Sequence, residues 1–73
     1  MGLIEITTNL ETANAIEDHI NRELRTGVNR SYQINHISRQ ENYCVVYLEP
    51  SHNYKEIDPS DLFFLGFYTC LNC

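Results

Sequence analysis

Between residues 9 and 26 the apolar residues recur at spacings of three and four, and the segments on either side of this stretch alternate with a period of two. The apolar stripe consists of Ala13, Ile16, Ile20 and Leu24. Such spacing puts one side of a helix against a core. Thr8 and Glu11 match a capping box at its start, and Gly27 is placed to end it in the left-handed conformation. We predict a helix over roughly residues 9–26.

Three segments have the pattern of half-buried strands. Residues 2–7 place Ile4 and Ile6 on one face, and residues 43–49 alternate cleanly. Residues 32–38 nearly alternate, although Ile34 and Ile37 are three apart, which indicates a bulge or a bend. The polar residues 39–42 are typical of a hairpin connection.

The last segment has two interpretations. Asp58, Pro59 and Asp61 supply an N-cap, a proline for the first helical position and an acid for the first turn, which together favour a helix. Residues 62–71 are aromatic-rich and would also suit a buried strand. We favour the helix because of its start signal.

The predicted element order is therefore β-α-β-β-α, an α+β fold. We expect residues 1–73 to form a single small two-layer domain, with a three-stranded, mainly antiparallel sheet packed on one or two helices. A chain of 73 residues buries only about 60% of the surface that it exposes when unfolded. Help from a partner, a metal or a disulfide is common at this size.

The charge balance argues against direct binding to DNA or RNA. Ten acidic and five basic side chains give a net charge of -5, and the basic ones are not clustered. The excess of acids lies mostly after residue 40, where Lys55 is the one basic residue. The acids there are Glu41, Glu49, Glu56, Asp58 and Asp61. This half could face a basic surface on a partner protein.

No segment has the pattern of a signal peptide or the length of a membrane span, so we expect a cytoplasmic, intracellular protein that does not enter a membrane. Three cysteines, an odd number, fit a reducing compartment.

Cys70 and Cys73 form a C-x-x-C pair, which can be half of a zinc site or a redox couple. A zinc site would need two more ligands, and the candidates are Cys44, His19, His36 and His52, none of which forms a second close pair. A redox couple needs a lowered thiol pKa, which a helix C-terminus opposes. We expect no cofactor and no metal, and keep a small zinc-binding domain as an alternative.

We also expect no enzymatic activity. The three histidines lie in three different predicted elements, and sequence pairs none of them with a serine or cysteine nucleophile. The glycines are scattered singly, so there is no glycine-rich phosphate loop.

A tyrosine-bearing sheet face is the main candidate surface. Tyr32, Tyr43 and Tyr47 are expected to share one face with Val45 and His36, opposite Cys44, Val46 and Leu48. Exposed tyrosines make good protein-binding surfaces. The alternative is that the second helix covers this face and makes the tyrosines part of the core.

The leading hypothesis is a non-enzymatic protein-interaction module. Its contact residues would be Tyr32, Tyr43, Tyr47, Glu49, Glu56, Asp58, Asp61, Phe63 and Phe67. Such a module could be a virus-encoded inhibitor that occupies a basic, nucleic-acid-binding surface of its target. The alternative is a structural subunit, such as a homodimer, that associates through the apolar C-terminal helix with Phe63 and Phe67.

Overall fold

The structure is a computed structural model that describes the backbone of residues 3–71 and the side chains of residues 3–66. Along the chain it forms three strands and two helices in the predicted order. The elements are β1 (Ile4–Thr8), α1 (Leu10–Arg25), β2 (Tyr32–Arg39), β3 (Cys44–Pro50) and α2 (Pro59–Leu71). The prediction of a small α+β domain is confirmed.

The sheet has the order β1-β3-β2, with β3 in the centre and both pairings antiparallel. β1 and β2 therefore run parallel to each other on either side of β3, and α1 carries the chain from one edge strand to the other. Consecutive strands β2 and β3 form the predicted hairpin, closed by a hydrogen bond from Gln40 N to Tyr43 O of 2.8 Å.

A bulge in β2 reconciles the irregular spacing of Ile34 and Ile37. Ile34 pairs with Leu48 and His36 pairs with Tyr47, so Asn35 is the extra residue on β2. Both isoleucines consequently point to the core face. The bulge also inverts the alternation before it, so that Tyr32 lies on the core face.

Helix α1 starts one residue later than the capping box indicated. Its N-cap is Asn9, whose Oδ1 accepts a hydrogen bond from Thr12 N at 2.7 Å, whereas Thr8 remains in β1 opposite Cys44. The prediction of Thr8 as the cap was wrong because strand pairing holds its backbone and the next residue, asparagine, caps equally well.

The end of α1 confirms the role expected for Gly27. Gly27 has φ 83, and hydrogen bonds run from Gly27 N to Leu24 O and from Val28 N to Glu23 O. This is a Schellman motif, in which a left-handed residue satisfies the last carbonyls of the helix.

Helix α1 packs on one face of the sheet, and α2 packs mainly against α1 and adds Leu65 to the same core. The core contains residues of α1, β2, β3, α2 and the loop before α2: Ala13, Ile16, Ile20, Tyr32, Cys44, Val46, Leu48, Ile57 and Leu65. Ile4, Ile6, Ile34, Ile37 and Leu62 pack around them. Most of the buried core residues therefore come from the apolar stripe of α1 and from alternate positions of β3.

The ambiguous last segment is helical, and its start uses the predicted cap. Asp58 Oδ1 accepts a hydrogen bond from Ser60 N at 2.9 Å, and Pro59 takes the first helical position. Within residues 3–71, neither helix combines the length and apolar character that crossing a membrane requires.

Candidate functional site

The face of the sheet opposite the helices is one candidate site, which we call the open sheet face. Strand register places on it Glu5, Thr7, Gln33, His36, Ser38, Val45, Tyr47 and Glu49. None of these residues belongs to the hydrophobic core cluster. Glu5, Thr7 and His36 are exposed, and Val45 and Tyr47 are half-buried.

A chain of side-chain contacts crosses the open sheet face at the β2 bulge. Asn35 Nδ2 donates to Glu49 Oε1 at 2.8 Å, and the Asn35 Oδ1 atom accepts from Nδ1 of the neighbouring His36. The His36 ring stacks on Tyr47 with a centroid distance of 4.3 Å and an interplanar angle of 19°. The bulge therefore aims Asn35 so that one amide joins a carboxylate to an aromatic stack.

Glu49 is held on its other side by Gln33, whose Nε2 donates to Oε2 at 2.6 Å. The hydrogen bonds from Asn35 and Gln33 lower the pKa of Glu49, because both stabilise the ionised carboxylate. Glu49 is therefore a fixed negative charge at physiological pH.

Positive charge is concentrated on the helical side of the molecule. Arg22 pairs with Asp18 at 3.0 Å, Arg30 with Glu23 at 2.8 Å and Arg39 with Glu17 at 3.0 Å. None of the residues on the open sheet face is Lys or Arg. Glu5 and Glu49 thus lie on a face whose strand residues supply no compensating cation.

At one end of the sheet a cleft of about 650 Å³ forms the second candidate site, which we call the end cleft. Its walls are the C-terminal turns of α1, residues 28–30, residues 32–33 and residues 51–54. Its lining includes Glu23, Arg30, Tyr32, His52 and Tyr54. This volume lies within the range of small-ligand or side-chain pockets.

An ion cluster lies beside the end cleft. Nε and Nη2 of Arg30 both donate to Glu23 Oε2, at 3.1 and 2.8 Å, and Arg30 Nη1 lies 3.7 Å from Asp61 Oδ1. His19 Nε2 is 3.5 Å from the same Glu23 oxygen. The side-chain hydrogen bond to Glu23 raises the pKa of Arg30, which stays charged.

Tyr32 forms part of the cleft lining and of the core, and is 4% exposed. Burial, and next the negative charge of Glu23, raise the pKa of its phenol to about 12. Tyr32 therefore stays neutral. The expectation that Tyr32 shares the tyrosine-bearing face was wrong. The extra residue Asn35 shifts the alternation of β2, so the residues before it point to the face opposite to the one expected for a regular strand.

The other tyrosines of the predicted surface are accessible. Tyr47 lies on the open sheet face, and Tyr43 immediately precedes β3 and is 48% exposed. Helix α1 packs on the opposite face and α2 packs mainly against α1, so the alternative in which the second helix covers these tyrosines does not hold for the described residues.

The predicted acidic contact residues separate into different roles. Glu49 belongs to the open sheet face, and Glu56 is exposed in the loop before α2. Asp58 caps α2, and Asp61 binds Ser31 and Arg30. The structure therefore does not bring these carboxylates together as one surface.

In the C-terminal helix, Phe63 is 72% exposed and Phe64 46% exposed, and their rings meet edge to face at 5.9 Å. The side chains of Phe67 and Cys70 and the whole of Cys73 lie outside the described residues. Among the described residues, no three His, Cys, Asp or Glu side chains are placed to hold a metal ion.

Sequence reasoning missed Glu5, Glu23, Arg30 and Asn35. The three-residue spacing of Ile34 and Ile37 was a usable signal for Asn35, since it requires an extra residue between them. No comparable local signal marks Glu23 and Arg30, because their pairing depends on the turn after α1.

The chain thus forms a small two-layer α+β domain with two candidate sites, the open sheet face and the end cleft. Comparison of the chain with protein-family models, with curated proteins and with solved structures yields no match.

Proposed function

We propose that the protein is a non-enzymatic interaction module that places its open sheet face against a basic surface of a partner protein. The observation that carries this proposal is the distribution of charge. Three arginines pair with acids on the helical side, whereas the open sheet face presents Glu5 and Glu49 and none of its strand residues is Lys or Arg. Complementary charge speeds encounter and selects the partner.

The aromatic part of the open sheet face supplies contact area. Tyr47 and Val45 are half-buried in the free protein, and their remaining surface can be covered by a partner. The stack of His36 on Tyr47 restricts both rings before binding. Rings that are already ordered lose little conformational entropy on association.

Glu49 is well placed as a polar anchor. Asn35 and Gln33 hold its carboxylate in one orientation and favour its ionised form. A fixed carboxylate next to an aromatic pair suits an arginine, which can combine a charge-assisted hydrogen bond with stacking.

A basic partner surface of this kind is common in proteins that bind nucleic acids. A domain that occupies such a surface competes with phosphate groups for the same Lys and Arg side chains. Inhibition of a nucleic-acid-binding protein is the form of this function that we favour, and a virus-encoded inhibitor is one setting for it.

The test is a titration of the isotope-labelled protein with a defined Arg/Lys-rich peptide, followed by amide chemical shifts. We expect shifts in all three strands at the open sheet face, and binding that weakens steeply between about 10 and 200 mM salt as the screening length shortens. Shifts confined to the helices, or binding that salt does not affect, would contradict the proposal.

A pair of charge-matched variants sharpens this test. Glu5→Gln with Glu49→Gln removes two negative charges from the open sheet face, and Glu11→Gln with Glu56→Gln removes two exposed negative charges elsewhere. We expect the first pair to weaken peptide binding by about tenfold or more and the second by about twofold. Equal losses would show that net charge alone drives binding.

A second candidate is a homo-oligomeric subunit that associates through α2. The observation that favours it is the exposure of Phe63 and Phe64 on a helix whose described acid, Asp61, is already engaged. Adjacent exposed phenylalanines are unusual on an isolated domain. Native mass spectrometry distinguishes the candidates: a dimer supports this second candidate, and a monomer at micromolar concentration contradicts it.

A further inference from the structure

We propose that the end cleft is a subsite for one cationic side chain, arginine or lysine, of the partner protein. The inference rests on the proposed function for the expectation that the partner is basic. It adds a second recognition element next to the open sheet face and names the chemistry of its occupant.

The first argument is the charge of the cluster beside the cleft. Glu23 and Asp61 contribute two negative charges and Arg30 one positive charge, so the cluster carries a net charge of -1 when His19 is counted as neutral. An entering ammonium or guanidinium group would neutralise this charge.

The second argument is an unused hydrogen-bond acceptor. Glu23 lines the cleft, and Arg30 engages its Oε2 atom, while Oε1 is buried without a hydrogen-bond partner among the described residues. A buried oxygen in this condition costs free energy until a donor reaches it. A turn of the Glu23 carboxyl toward the cleft would present Oε1 to an N–H of the occupant.

The third argument is the apolar part of the lining. Leu24, Val28 and Tyr54 line the cleft and are each exposed by more than a third. The methylene stem of Arg or Lys covers such surface while its charged end reaches a polar group. The Tyr54 ring adds a face for a cation–π contact.

The cleft is also continuous with the open sheet face. Gln33 is part of the cleft lining, and its Nε2 donates to Glu49 Oε2 at 2.6 Å. A partner that lies on the open sheet face can therefore reach the cleft with a neighbouring side chain.

The experiment titrates the isotope-labelled full chain with N-acetyl-arginine amide, and separately with N-acetyl-citrulline amide, which has the same shape without the charge. We expect saturable amide shifts at residues 23–33 and 51–54 with the arginine compound and none with the citrulline compound. Equal shifts with both compounds, or no shift in these residues with either, would overturn the inference.

Two variants report on the cleft itself. Val28→Lys puts a cation into the cleft from an exposed position, and Asn42→Lys adds the same charge in the hairpin turn at the other end of β2. We expect Val28→Lys to weaken binding of the arginine compound by about tenfold and Asn42→Lys by about twofold or less. Equal effects of the two variants would contradict a specific subsite.

Glu23→Gln is the direct test of the acceptor and should abolish saturable binding, provided that its circular dichroism matches that of the wild type. If Glu23→Gln unfolds, the comparison of Val28→Lys with Asn42→Lys is the test of the subsite. With the Arg/Lys-rich peptide, shifts on the open sheet face without shifts in the cleft would overturn this inference and leave the proposed function standing. Cleft shifts alone would support the subsite and contradict the proposed use of the sheet face.

Discussion

Ser31 and Asp61, thirty residues apart in the chain, are joined by two hydrogen bonds to a single carboxylate oxygen. Ser31 Oγ donates to Asp61 Oδ2 at 2.6 Å and Ser31 N donates to the same atom at 2.7 Å. Ser31 Oγ also accepts from Asp58 N at 2.8 Å, and Ser31 O accepts from Ser51 N. The fully buried Ser31 thus ties the start of β2 to the start of α2 and to the loop beyond β3.

Replacing Ser31 by alanine should destabilise the domain markedly. The variant loses the donor to Asp61 and the acceptor for the Asp58 amide, and we expect a loss of roughly 1–3 kcal/mol, or about 5–15 °C in Tm. Thermal unfolding followed by circular dichroism measures this loss. Ser60→Ala, at an exposed position of the same helix, is the control; matching melting curves for the two variants would refute the role given to Ser31.

Asp61 should make stability depend on acidity. Burial alone would raise the pKa of Asp61, but the hydrogen bonds from Ser31 and the charge of Arg30 outweigh it, so that the pKa lies below its ordinary value. The folded state then prefers the ionised form. Its stabilisation is fully present above the ordinary pKa of about 4 and is lost as the pH falls through the lowered value.

We therefore expect Asp61→Asn to cost roughly 1–3 kcal/mol at pH 7 and progressively less as the pH is lowered below about 4. Urea unfolding at several pH values measures the difference. Asp18→Asn removes the same charge from an exposed pair and should cost about 0.5 kcal/mol or less. A difference between wild type and Asp61→Asn that stays constant down to pH 2 would contradict this assignment.

Because of the β2 bulge, deletion of Asn35 should be tolerated, whereas deletion of the nearby Gln33 should destabilise the domain. Without Asn35, Ile34 and His36 become adjacent and the strand alternates regularly, with Tyr32, Ile34 and Ile37 still toward the core. Without Gln33, either Tyr32 or Ile34 must turn away from the core. We expect the Asn35 deletion to fold and the Gln33 deletion to lose several kcal/mol. Chemical denaturation measures the free energy of unfolding of both variants. Comparable stabilities would show that the bulge does not determine which residues of β2 face the core.

The Asn35 deletion also has a consequence at the candidate site. It removes the hydrogen bond from Asn35 to Glu49, so the pKa of Glu49 should rise toward its ordinary value. The chemical shift of the Glu49 carboxyl carbon, followed by NMR as a function of pH, reports this change. An unchanged titration midpoint would show that Gln33 alone lowers the pKa of Glu49.

Phe63→Glu separates association through α2 from folding. Phe63 is 72% exposed in the single chain, so a charged residue there should leave circular dichroism and Tm nearly unchanged. If the chain dimerises through α2, sedimentation should show a dimer for the wild type and a folded monomer for the variant. A variant that remains dimeric would exclude Phe63 from the interface, and one that unfolds would mean that association and folding are coupled.

Local features of the sequence determined the elements and much of the core. The spacing of Ala13, Ile16 and Ile20 required one helical face, and Gly27 could end that helix because it adopts positive φ without a side-chain clash. Strand β3 showed its buried side by alternation. These signals are carried by neighbouring residues, so they can be recognised without knowledge of the tertiary structure.

The tertiary structure decided the remaining features, because each depends on residues far apart in the chain. The pairing of β1 with β3, the direction of Tyr32 after the bulge and the Ser31 to Asp61 contact all need a partner that local periodicity does not identify. The candidate sites belong to this second group. The open sheet face exists because α1 packs on the other side of the sheet and α2 packs against α1, and the end cleft exists because two loops meet beside Glu23.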